Sequence, residues 1–173
     1  IYILNMYFLV MKNLKLIVGY NPKVACTTIK ILILRKLGHE IDVEKYVHKS
    51  ELIRSLKNLN PKLNNVDLNS YTKICIVRNP YERLISGIRQ RSGCLCDFNK
   101  DGDFSDNTIT MFLQNLKKYN YIEHHFIPQT ENINDFKFDH IIDVKDMSKL
   151  YSILGFEYKI EKLGGHATTY NND

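Results

Sequence analysis

"NPKVACTTIK", residues 21–30, stands between the apolar run "LKLIVGY" (Leu14 to Tyr20) and the periodic run "TTIKILILRKLG" (Thr27 to Gly38). The first run has the length and β-branched content of a buried strand. The second carries apolar residues over successive helical turns and ends on Gly38, a residue suited to the left-handed conformation just past a helix. The quoted stretch is therefore the turn of a strand, loop, helix unit. Such a loop gathers main-chain N–H groups and the positive end of the helix dipole at one point, which favours an anion. Lys23 adds a full charge there, and Thr27 and Thr28 add hydroxyl donors. A lysine about 4 Å from a phosphate contributes about 4 kcal/mol at an effective dielectric near 20, before its desolvation is subtracted. Taken alone, the stretch also fits a solvated Lys23 and a Thr27 that only caps the helix.

A second stretch, "YTKICIVRNPYERLISGIRQR" (Tyr71 to Arg91), repeats the layout. "KICIV" reads as a short buried strand, Pro80 suits the first turn of a helix, and Leu84, Ile85 and Ile88 follow at helical spacing. Arg78 ends the strand and Ser86 lies on the helix. An open parallel sheet holds a nucleotide outside its strand ends with two such units, each bearing cationic or hydroxyl groups at the strand's C-terminal end. A Walker loop is disfavoured, because no second glycine falls between Gly19 and Thr28 and Lys23 comes early in the loop.

These motifs resemble those of the sulfotransferases. "PKVACTT" (Pro22 to Thr28) is similar to the family's 5′-phosphosulfate-binding loop, most of all in its carbohydrate branch, and "IVRNPYERLIS" (Ile76 to Ser86) resembles the 3′-phosphate motif. "EHHFIPQTENI" (Glu123 to Ile133) resembles the acidic-His-Trp-x-Pro-Gln segment of chondroitin and related sulfotransferases, with Phe126 in place of the tryptophan. "FDHIIDVKDMSKL" (Phe138 to Leu150) resembles the strand and helix that follow, and "GGHATTY" (Gly164 to Tyr170) the C-terminal loop that closes over the nucleotide.

The resemblance implies a donor, 3′-phosphoadenosine 5′-phosphosulfate, and a hydroxyl-bearing acceptor, most readily a glycan. It implies Lys23 at the 5′-phosphate and bridging oxygen, within a loop of Pro22, Val24, Ala25, Cys26, Thr27 and Thr28. Arg78 and Ser86 carry over as ligands of the 3′-phosphate, and Thr168 as a contact from the C-terminal loop. No metal is required. The implied architecture is a three-layer α/β/α fold, P-loop-like, with a central parallel sheet built on strands near Leu14 to Gly19, Lys73 to Val77 and His140 to Val144. Residues 1–173 are expected to form a single domain.

Transfer to a hydroxyl gains roughly 10²- to 10⁴-fold from a general base. The candidates are His39, His48, Glu51, His124, His125, His140 and His166. Related heparan sulfotransferases carry a histidine or glutamate base between the two phosphate motifs, and "YVHKSEL" (Tyr46 to Leu52) matches that position, with His48 first and Glu51 second. His124 and His125 are the rivals. Arg83 is expected to tie helix to sheet through an ion pair, and Arg89 and Arg91 are solvated charges or contacts for an acidic glycan.

The whole chain bounds these readings. Its 173 residues, 44% hydrophobic and 25% charged, suit a globular domain with a sizeable core. A net charge of +5 favours an anionic ligand but is too dispersed to argue for nucleic acid. The opening run "IYILNMYFLVM" is shorter than the roughly 20 residues a membrane span needs, and it reads as an added edge strand, a foreign remnant or the end of a signal anchor. Cys26, Cys75, Cys94 and Cys96 are poorly placed for a disulfide framework or a zinc site.

"DFNKDGDFS" (Asp97 to Ser105) follows the spacing of a calcium loop, but Thr108 stands where that loop needs its glutamate. Three functions remain on this reading: sulfuryl transfer, nucleotide binding without transfer, and a calcium module.

Overall fold

The computed structural model describes residues 6–39, 51–58, 67–95, 106–118, 125–130 and 136–157. Leu16–Tyr20 forms strand β2, every residue of which is buried. It runs parallel to β4 (Thr72–Val77), with Gly19 opposite Cys75 and Tyr20 opposite Ile76. β4 in turn runs parallel to β5 (His140–Asp143). β2 and the stretch Ile74 to Ile76 of β4 are buried on both faces and read as near-continuous apolar runs, whereas β5 is largely exposed, with only Ile142 buried.

The opening apolar run supplies β1 (Tyr7–Met11), which pairs antiparallel with β2. It is not the edge. A two-residue strand β3 (Lys57–Asn58) pairs antiparallel on its other side, giving the order β3-β1-β2-β4-β5. The sheet is thus mixed rather than wholly parallel, with β1 alone running against the rest. An antiparallel partner needs only the short turn Lys12–Leu14, where a parallel one would need a crossover of a dozen or so residues.

Alternation along β1 and β2 divides the core. Leu9, Met11, Leu16, Val18 and Tyr20 face one side, with Ile74, Ile76 and Ile142. They pack against α1 (Cys26–Lys36), Ile53 of α2 (Glu51–Leu56) and the apolar face of α5 (Met147–Leu154), which includes Leu150 and Leu154. Phe8, Val10, Ile17 and Cys75 face the other side and meet Phe136 and Phe138. Each fully buried aliphatic side chain contributes about 1.5–3 kcal/mol by leaving water. On this second face Gly19 is required by contact: a Cβ there would lie 2.9 Å from Met6 Sδ and 3.0 Å from Phe138 Cε1.

Two longer helices complete the described chain, α3 (Pro80–Leu95) and α4 (Asp106–Lys118). Asn79 caps α3, its side-chain oxygen accepting from the N–H groups of Tyr81 at 3.0 Å and Glu82 at 3.3 Å. At the far end of α1, Gly38 takes φ +82°, and the N–H groups of Gly38 and His39 return to the carbonyls of Arg35 and Leu34. That closure stops the helix where the sequence pattern placed its end. Among the described residues, no helix is long and apolar enough to cross a membrane.

Candidate functional site

Parallel pairing of β2 with β4 sends both chains out of the sheet at the same end. Tyr20 and Ile76 are partners, so Pro22 and Arg78 each lie two residues past a shared rung. The loop after β2 is tightly wound: Lys23 has φ 68° and Ala25 φ 58°, both left-handed without being glycine. Non-glycine residues take that conformation at a cost and are rare there. Alternate left-handed turns direct successive main-chain N–H groups into one concavity, which suits an anion. Ala25 is also the N-cap of α1, and its side chain offers no acceptor to the first-turn N–H groups. Lys23, Cys26, Thr27 and Thr28 are half-buried around this turn, while Pro22 and Val24 are buried beneath it.

Arg78 reaches across to the loop. Its Nη1 donates to the carbonyl of Lys23 at 3.3 Å, so the two sequence motifs meet. Its Nε is buried without a hydrogen bond, and the closest carboxylate oxygen, Glu82 Oε2, is 3.5 Å away, too long for a strong one. Glu82 Oε1 also takes Lys145 Nζ at 2.8 Å. The hydrogen bond from Lys145, with its charge and that of Arg78, holds the Glu82 carboxyl below its ordinary value. Residues just past β4 and β5 thereby bring together two cations, Arg78 and Lys145, on one carboxylate of α3, beside the main chain of Lys23.

Segment 125–130 locks onto this assembly at separate points. Arg83 is 4% exposed and donates from Nε to the carbonyl of Pro22 and from Nη1 to that of Ile127, both at 2.9 Å. The expected ion pair is replaced by two main-chain carbonyls, because the helix points the guanidinium inward between two loops. Burial lowers the Arg83 pKa, though an arginine stays charged. Gln129 clamps the main chain of Arg78: its Oε1 accepts from the Arg78 N–H at 3.0 Å, and its Nε2 donates to the Arg78 carbonyl at 2.6 Å. Phe126 lies on α3 where Gly87 leaves room, since a Cβ there would be 2.8 Å from Phe126 Cε1, and its ring meets Phe112 of α4 at 5.1 Å.

Under the loop, Tyr20 stacks on Tyr7 with ring centres 5.7 Å apart. Its hydroxyl is buried without a hydrogen bond, and burial raises its pKa well above the ordinary range, so the phenol stays neutral. Lys30, buried on α1, holds Nζ 5.5 Å from the Tyr20 ring centre.

The remaining candidates are scattered. Ser86 is half-buried on α3, Glu51 is exposed at the start of α2, and His125 is buried. His39 and His140 are exposed. His48, His124, His166, Thr168 and the Asp97 to Ser105 segment lie outside the described residues, as do the side chains of Arg89 and Arg91. Among the described residues, no group of three or more His, Cys, Asp or Glu is arranged to hold a metal. Sequence reasoning missed the clamp by Gln129 and the parts played by Lys30, Glu82 and Lys145. Lys145 had a signal, since it follows a third strand with the same orientation.

With this geometry in view, residues 6–162 match the model of the sulfotransferase family, and the chain belongs to that family. Carbohydrate sulfotransferase 14 of Mus musculus is 32% identical over 97 residues, which are 54% of this chain and 26% of that protein. Carbohydrate sulfotransferase 11 of Rattus norvegicus is 38% identical over 84 residues, 44% of this chain and 24% of the relative. The match thus spans about a quarter of the length of these curated relatives. No solved structure matches the chain.

Proposed function

We propose that this chain binds 3′-phosphoadenosine 5′-phosphosulfate and moves its sulfuryl group to a carbohydrate hydroxyl. The observation that carries the reading is the Arg78 hydrogen bond to the Lys23 carbonyl, which links the two phosphate motifs. The residues fit a ligand with an anion at each end. The left-handed turns at Lys23 and Ala25 suit one phosphate, and the Arg78 guanidinium, held against the Lys23 carbonyl, suits another. Family membership and the names of the two relatives support the donor and the glycan acceptor.

In this reading Pro22 to Thr28 hold the 5′-phosphate, Arg78 and Ser86 the 3′-phosphate, and Thr168 closes from the C-terminal side. The bound donor supplies an activated sulfuryl group. Lys23 stabilises the charge that builds on the leaving oxygen, an interaction stronger in the transition state than before it. His48 takes the acceptor's proton, with Glu51 and His125 as its rivals. The architecture is read as one three-layer, P-loop-like domain, in which α1 and α5 form one outer layer.

Calorimetric titration with adenosine 3′,5′-bisphosphate, followed by sulfuryl transfer assays over a glycan panel, tests this function. Saturable binding with transfer to at least one glycan is expected. Binding with no transfer across the panel would reduce the chain to a nucleotide-binding protein. Full turnover in His48→Ala would remove the base assignment.

A further inference from the structure

Gln129 makes its paired hydrogen bonds to the main chain of Arg78, at 3.0 Å and 2.6 Å, from 51 residues away in sequence. The arrangement matters because β4 ends at Val77 and Arg78 is the first residue beyond it. A strand's last residues normally lose their ladder partners and gain freedom. Here a side-chain amide supplies both a donor and an acceptor, as a neighbouring strand would. The φ and ψ of Arg78 are thereby fixed one residue past the sheet, and the direction of its side chain with them.

Gln129 is itself held from behind. The Ile127 carbonyl accepts from Arg83, and Phe126 is seated on Gly87. We infer that Gln129 is a positioning residue for Arg78, aiming its guanidinium at the 3′-phosphate and so setting the preference for a nucleotide that carries one. This rests on the function proposed above and adds to it a determinant of donor specificity. A long cationic side chain loses appreciable rotamer freedom when it binds, so fixing its root beforehand strengthens one contact without touching the ligand.

The test is a double-mutant cycle read by calorimetry with two probes, adenosine 3′,5′-bisphosphate and adenosine 5′-monophosphate. Gln129→Ala is expected to lower the preference for the bisphosphate roughly tenfold, the equivalent of one lost charge-assisted contact, while monophosphate affinity changes little. In an Arg78→Ala background the same substitution is expected to have no effect on that preference, since a positioning residue has nothing left to aim. Should Gln129→Ala fold poorly, Gln129→Asn keeps the amide, withdraws it by one methylene and carries the same expectation.

An equal fall in affinity for both nucleotides, or an undiminished effect without Arg78, would overturn the inference and leave the function standing. A wild-type chain that does not prefer the bisphosphate would remove the function and the inference together.

Discussion

Arg83 carries a charge into the interior and gives its hydrogen bonds to the carbonyls of Pro22 and Ile127. Replacing it with methionine would keep much of the volume but leave both buried acceptors without their donor. The expected loss is about 2–4 kcal/mol of stability, read from urea midpoints at unchanged slope. Glu82 behaves differently, because its effect depends on pH. Lys145 and Arg78 hold its pKa below the ordinary 4.5 in the folded chain. A carboxylate whose folded pKa is lowered adds stability that is present above the unfolded pKa and is lost as pH falls through the folded one. Glu82→Gln is therefore expected to be less stable than wild type near neutrality and to converge with it in acid. Thermal melts across that range would detect the convergence, and a constant gap would contradict it.

At the scale of elements, Gly19 is a tight fit within the sheet. The nearest flexible atom, Met6 Sδ, can give way, but the Phe138 ring is held against Phe136 at 4.8 Å. Gly19→Ala is expected to lose about 1–3 kcal/mol through overpacking, measured as a lower melting temperature. Strands β2, β4 and β5 and helices α1 and α3 were legible because each is a long apolar or periodic run with a distinct stop, Gly38 for α1 and Asn79-Pro80 for the start of α3. The direction of β1 was not legible, since an apolar run announces burial and says nothing of its partner. β3 left no signal at all: Lys57 and Asn58 are ordinary polar residues recruited by a neighbouring strand. The Arg83 ion pair was misread for a similar reason, because carbonyls brought in by distant loops have no sequence signature.

Across the whole molecule, the central strands should open only when the sheet opens. Cys75 is fully buried on β4, and burial pushes its thiol up to about 12. The thiolate is the reactive form, so iodoacetamide at mildly alkaline pH is expected to spare Cys75 and to label half-exposed Cys26 before it. Peptide mass spectrometry along a urea series would follow both, and early labelling of Cys75 in native conditions would mean that β4 opens locally. The candidate site was partly legible at this scale. Lys23 and Arg78 belonged to contiguous motifs, whereas Gln129, Glu82 and Lys145 acquire their parts only when segments far apart in sequence converge.

The rung joining Tyr20 to Ile76 makes the sheet a measuring instrument. Neighbouring strands stand about 4.8 Å apart, and the two cationic arms start from adjacent strands, so the span they can grip is calibrated by main-chain geometry rather than by the arms themselves. A slip of one residue between β2 and β4 would swing Arg78 to the opposite side of the sheet, and the gauge would lose its second jaw.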